Sequence, residues 1–221
     1  MIKAIIFDVD GTLIDSNDAH AKAWQAVFRE HGFEFPYEKV RHNVGKGADQ
    51  YLQAFLSPED IERLQDKLTK RRLEIFKQDY ASEIQPFPCV KELFTAIRES
   101  GKKTALATSA KKDELQSYMK LIGIEDLLDV KTTADDAEKS KPHPDIFQAA
   151  LGKLAPIEPA EALVIGDTPY DMEAAGKAGL RSIGFRCGGF PEDELRQAGA
   201  SEVLQDAEEL LKRWPDKYAK L

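Results

Sequence analysis

The chain alternates two kinds of pattern. Short, nearly continuous apolar runs occur at 2–9, 104–108, 162–166 and 180–185, with a weaker one near 127–133. Runs of that length and continuity fit parallel strands covered on both faces. Between and after them, apolar residues recur at helical spacing near 89–100, 111–122, 144–153, 169–178 and 205–213. Strands alternating with helices predict an α/β fold with a doubly wound parallel sheet and right-handed crossovers.

One stretch breaks the alternation. From about 16 to 85 the pattern is helical, with no convincing strand. Its clearest part is 57–80, where Ser57 suits an N-cap, Pro58 the first helical position and Asp60 a capping-box-like start. Ile61, Leu64, Leu68, Ile75 and Phe76 then form an apolar stripe. Gly45 and Gly47 punctuate the stretch, and Pro86 and Pro88 mark its end. The expected organisation is a core of residues 1–15 and 86–221 carrying a small helical cap at 16–85.

Length and composition narrow the class. A chain of 221 residues, 42% hydrophobic and 32% charged, suits a soluble globular core with a small second lobe. The net charge of -8 argues against nucleic acid or an anionic membrane as partner, both of which need a basic footprint. It leaves small anionic substrates open, because a metal and a few local cations can dominate one pocket. Cys89 and Cys187 lie far apart and form no CxxC, so reduced thiols are expected rather than disulfides or structural zinc. The N-terminus reads as a strand rather than a signal segment, and no apolar run approaches membrane-spanning length, so the expected setting is the cytoplasm. A monomer or small homo-oligomer is expected.

The strongest candidate chemistry is Asp8-Val9-Asp10-Gly11-Thr12, where the first strand ends. Residues two apart on a strand face the same side, so both carboxylates can meet one site, and such a pair needs a cation, a shared proton or solvent. Gly11 permits a sharp turn, and the amides after it are candidates to cradle phosphate. Gly166-Asp167-Thr168-Pro169-Tyr170-Asp171 closes another strand; Asp167 is placed to ligate Mg²⁺ beside Asp8, while Asp171 fits either a helix cap or outer support for the metal. Thr108-Ser109 follows the 104–108 run, where a hydroxyl and helix N-terminal amides suit a phosphoryl group, although Ser109 also fits a simple cap. Lys141, between Ser140 and Pro142, is a candidate to neutralise Asp8 and bound phosphate, or is solvated like most lysines.

Taken in chain order, these residues resemble the haloacid dehalogenase superfamily of hydrolases. Asp8 to Thr12 resembles its first motif, Thr108 or Ser109 its second, Lys141 its third, and Gly166-Asp167 with Asp171 its fourth. The helical insert resembles the subgroup whose cap follows the first motif. The resemblance implies that Asp8 attacks phosphorus and carries an aspartyl-phosphate, with Asp10 as general acid and base. It implies Mg²⁺ held by Asp8, the backbone carbonyl of Asp10 and Asp167, with Asp171 outside them. Lys141 and Thr108 or Ser109 would stabilise the transferring oxygens, and Gly11 and Thr12 would bind phosphate.

Within the family, Asp10 points to phosphoryl transfer, since the dehalogenases lack an aspartate there. The expected activity is hydrolysis of a small phosphorylated metabolite, with a β-phosphoglucomutase-like reaction as runner-up. The mutases typically carry Glu-Asp where this chain has Gly166-Asp167. A phosphonatase would need a Schiff-base lysine, and Lys22, Lys39 and Lys46 stand in no motif that marks one. A receiver domain would lack the insert. Family caps contribute substrate specificity, for which His20, Trp24 and Lys46 are the candidates; Trp24 also fits cap core and Lys46 a solvated loop. Sugar phosphates, phosphoglycolate, nucleotides and polyol phosphates all remain open.

Overall fold

The computed structural model describes residues 1–220. A six-stranded parallel sheet, in the order β3-β2-β1-β4-β5-β6, forms the centre. Its strands are β1 (Ala4–Phe7), β2 (Lys103–Ala107), β3 (Val130–Thr132), β4 (Ala162–Gly166), β5 (Arg181–Phe185) and β6 (Glu202–Leu204). Helices α5 (Val90–Glu99), α6 (Lys112–Ile122), α7 (Asp145–Lys153), α8 (Pro169–Lys177), α9 (Glu192–Gln197) and α10 (Ala207–Arg213) accompany them. The doubly wound α/β class expected from the apolar runs is the class observed.

Alternation along β1 divides the core in two. Ile5 and Phe7 join Leu106, Leu163 and Ile165 on one face, packed with Phe94 and Ile97 of α5. Ala4 and Ile6 join Ala105, Ala107 and Val164 on the other, under Ile146 and Phe147 of α7 and Ala174 of α8. Period-two side chains on a strand covered by helices on both faces explain why the run read as continuously apolar.

Before α5 the chain adds α1 (Asn17–Glu30), α2 (Tyr37–His42), α3 (Ala48–Leu52) and α4 (Pro58–Ile75). The departing and returning chains run side by side, with Asp15 N donating to Gln85 O at 2.9 Å and Phe87 N to Leu13 O at 2.9 Å. Trp24, Phe28, Tyr51 and Phe55 stack on one another inside the insert, with ring centroids 4.6–6.3 Å apart. Their combined burial supplies the core that these short helices need.

Several boundaries differ from expectation. The first strand is regular only over Ala4–Phe7 rather than 2–9; Asp8 N makes a last cross-strand bond to Ile165 O, and the chain turns at 11–13. The 57–80 helix is regular only to Ile75 and continues as a widened π turn over Phe76–Tyr80. At its start Ser57 accepts from Asp60 N at 3.2 Å, as a helix cap does. β6 and α9 escaped the pattern because three and six residues hold too few apolar positions to show a period. No helix of the described residues is long and apolar enough to cross a membrane.

Candidate active site

β2 and β4 flank β1 on opposite sides, so the connections diverge and leave a crevice beyond the carboxyl ends of the strands. Asp8 follows the last residue of β1, Asp167 the last of β4 and Thr108 the last of β2. Topology therefore delivers three distant segments to one place. A cavity of about 580 Å³ opens there, bounded by Asp8, Asp10, Thr108 and Ser109 from the core and by α1, α3 and α4 from the insert.

Lys141 organises the floor. It is 1% exposed, with Nζ 2.5 Å from Asp8 Oδ1 and 2.7 Å from Asp171 Oδ1, and it also donates to Ala107 O at 3.3 Å. The solvated alternative for this lysine is excluded. Burial works to lower its pKa, but Asp171 and Asp8 outweigh that effect and raise it, so the ammonium persists. The carboxylates behave in the opposite way. Burial, opposed by Lys141 and reinforced by Asp171 and Asp167, pushes Asp8 well above the usual range. Burial and then Asp171 push Asp167 to about 7. Oxygens of Asp8, Asp167 and Asp171 lie within 4.8 Å of one another, and all three residues are buried.

Asp171 meets both alternatives left open for it. Its Oδ2 accepts from Thr168 N at 3.1 Å and Thr168 Oγ1 at 2.7 Å, capping α8, while Oδ1 faces Lys141. Gly166 allows this approach: a Cβ there would overlap the Asp171 carboxylate.

Asp10 lies beyond the strand, so strand alternation is not what orients it. It shares the cavity with Asp8 but has separate partners, accepting from Ser16 Oγ at 2.7 Å and meeting His20 Nε2 at 2.8 Å. Burial works to raise its pKa, yet His20, Ser16 and Arg72 outweigh burial and hold the carboxyl below its usual range. His20 Nδ1 faces Arg72 Nη1 at 3.3 Å. Because a guanidinium only donates, Nδ1 is the acceptor and Nε2–H donates to Asp10. His20 also stacks on Phe76, with centroids 4.2 Å apart. It therefore holds Asp10 while also lining the cavity.

Gly11 and Thr12 are placed differently from expectation. Their amides close the turn, Gly11 N donating to Ile14 O and Thr12 N to Val9 O, so neither is free for phosphate. Thr12 Oγ1 lies 2.8 Å from Asp167 Oδ1 and 3.3 Å from Asp8 Oδ2, bridging the two carboxylates. Thr108 Oγ1 accepts from Ala110 N at 3.0 Å. Ser109 lines the cavity and does not cap α6, whose start is bonded by the Glu114 carboxylate to Lys111 N at 3.4 Å.

Of the three insert candidates, Trp24 is 5% exposed and serves both core and cavity wall. Lys46 is half-buried rather than freely solvated; Nζ donates to Asn43 Oδ1 at 2.7 Å and lies 4.3 Å from the Tyr170 ring centre. Its loop presses on the core, where a Cβ at Gly45 would overlap Thr168 and one at Gly47 would overlap Ser140. The sequence reading missed Asn17, Arg72 and Glu114. Asn17 Nδ2 donates to Asp167 Oδ2 at 2.8 Å and Gly188 O at 3.0 Å, and Arg41 Nη2 reaches the same carbonyl at 2.5 Å. No local pattern marks any of these three, because each finds its partner only across the fold.

A buried lysine thus stands among three buried carboxylates, at the carboxyl edge of the parallel sheet and under the helical insert. A family model for haloacid dehalogenase-like hydrolases matches residues 5–185, and the chain belongs to that family. A Caldanaerobacter subterraneus protein provisionally named pyrophosphatase PpaX is 32% identical, over 96% of this chain and 94% of that one. Validoxylamine A 7'-phosphate phosphatase of Streptomyces hygroscopicus is 28% identical, over 97% of this chain and 98% of that one. The crystal structure of a hydrolase from Pseudomonas syringae superposes with a TM-score of 0.89 at 28% identity, covering 97% of this chain and 99% of that one.

Proposed function

We propose that the protein is a Mg²⁺-dependent phosphatase acting on a small phosphate monoester through an aspartyl-phosphate on Asp8. The observation that carries this reading is the buried Asp8 carboxylate at the end of the central strand, held 2.5 Å from Lys141 and opening onto a cavity shared with Asp10. Asp8 attacks phosphorus as the alkoxide departs. Asp10, which the negative charge of a bound phosphate favours in its protonated form, gives that oxygen a proton and then, as a base, takes one from the water that attacks the aspartyl-phosphate. His20 and Ser16 hold the Asp10 carboxylate in place for both steps. Lys141 fixes the Asp8 carboxylate and faces the charge that develops on the phosphoryl oxygens.

The residues present fit a divalent cation. Asp8, Asp167 and Asp171 surround one buried ammonium, so ionising all three leaves two negative charges without a counterion, and their oxygen donors suit Mg²⁺. Asp8 and Asp167 would hold the ion with the Asp10 carbonyl, and Asp171 would act through Lys141 from outside. When bound, the ion supplies electrophilic charge at the phosphoryl group. Residues 16–85 then serve as a cap over the site, positioning the leaving group and excluding water.

Turnover of p-nitrophenyl phosphate tests the reading. The protein should hydrolyse it with Mg²⁺, stop in excess chelator and recover on adding Mg²⁺ back. Full turnover in chelator, or by an Asp8→Asn variant, would contradict it.

A further inference from the structure

The wall behind Asp10 carries polar groups that the proposed chemistry does not use. Arg72 of α4 lies with its guanidinium carbon 5.5 Å from the Trp24 ring centre and Nη1 3.9 Å from Glu114 Oε1 of α6. One residue belongs to the insert and the other to the core, and both line the cavity. Arg72 Nε, Glu114 Oε1 and Thr69 Oγ1 are buried without a hydrogen-bond partner among the described residues, and all three residues line the cavity. Glu114 is 6% exposed. Buried polar atoms are rarely left unpaired, so such a set marks where a ligand supplies the missing partners. Arg72 Nε can only donate, Glu114 Oε1 accepts, and the Thr69 hydroxyl does either.

Charge selects the ligand. Apart from Asp8 and Asp10, the cavity wall bears the carboxylates Asp49, Asp66, Glu114 and Glu138 against the cations Lys46, Lys70, Arg72 and Lys111. The two signs are equal in number, and Arg72, the wall cation whose charge is felt at Asp10, already faces a buried carboxylate. A second phosphate or a carboxylate placed there would meet Glu114 and Asp10 without a free counterion. A neutral compound rich in hydroxyls would satisfy the donor and the acceptor at once.

Resting on the phosphatase reading above, we propose that the leaving group is an uncharged polyhydroxy compound, a sugar or polyol, with one hydroxyl donating to Glu114 Oε1 and another accepting from Arg72 Nε. A cavity of about 580 Å³ accommodates a phosphate ester of hexose size.

The experiment measures kcat/KM in Mg²⁺ for sorbitol 6-phosphate, glucose 6-phosphate, phosphoglycolate, pyrophosphate and p-nitrophenyl phosphate. The better hydroxylated ester should exceed phosphoglycolate and pyrophosphate by about tenfold or more, the worth of one charge-assisted hydrogen bond. Glu114→Gln, and independently Arg72→Gln, should lower the ratio of that ester to p-nitrophenyl phosphate by about tenfold. Pyrophosphate or phosphoglycolate as the best substrate overturns the leaving-group assignment while leaving the phosphatase reading intact. So does a ratio unchanged in both variants. Absence of turnover on every compound, p-nitrophenyl phosphate included, overturns both readings together.

Discussion

Replacing Lys141 by methionine keeps most of the side-chain volume and removes the ammonium that lies 2.5 Å from Asp8 and 2.7 Å from Asp171. Three buried carboxylates then share a pocket with no matching cation. Deleting one partner of a buried pair costs about 3–5 kcal/mol. Protonation limits the loss, because Asp8 and Asp167 already sit above the usual carboxylate range and rise further without Lys141. A carboxyl whose folded pKa is raised binds more protons in the folded state, so its stabilisation is present at low pH and fades as pH rises through that pKa. For Asp167 the transition lies near 7, so the variant's deficit should be small at pH 5 and large at pH 8. At pH 8, a loss of about 3 kcal/mol lowers the melting temperature by about 6–12 °C for a chain of this size. The assay is thermal unfolding followed by circular dichroism in excess chelator at both pH values. A variant melting within about 2 °C of the parent at pH 8 would refute the charge balance described for this site.

Two further outcomes follow from the same geometry. His20→Asn removes the partner that does most to offset burial at Asp10, so the alkaline limb of the kcat/KM profile for an alkyl phosphate, where Asp10 loses the proton it donates, should move to higher pH; an unmoved limb would separate His20 from Asp10. Asn17→Ala frees one oxygen of Asp167 and should weaken Mg²⁺ binding, read by calorimetry without substrate, by about tenfold or more; unchanged affinity would leave Asn17 a tether to Gly188 alone.

The fold was legible because a sheet covered on both faces leaves an unambiguous trace: Ile5, Ile6 and Phe7 are all buried although they face opposite layers. Asp8 and Asp167 were legible for a related reason, since each directly follows a strand that can be recognised. Lys141 is a different case. Its motif suggested a role, but only the packing of α7 and the carboxylates around it distinguishes a buried ammonium from a solvated one. Gly11 and Thr12 show how a correct turn can still mislead, because the amides that seemed free for phosphate close the turn itself. Arg72 and Glu114 were invisible. They lie 42 residues apart on surfaces that meet only when the insert folds over the core, and each looks locally like a charge on an amphipathic helix.

The central claim concerns one covalent bond, between phosphorus and a carboxylate oxygen of Asp8. Rapid acid quenching of the enzyme turning over a ³²P-labelled phosphate ester in Mg²⁺, followed by proteolysis and mass spectrometry, tests it most directly. The label should reside on the peptide containing Asp8, be released by hydroxylamine as an acyl phosphate is, and be absent from Asp8→Asn. Label on a different residue, or steady turnover by Asp8→Asn, would contradict the account.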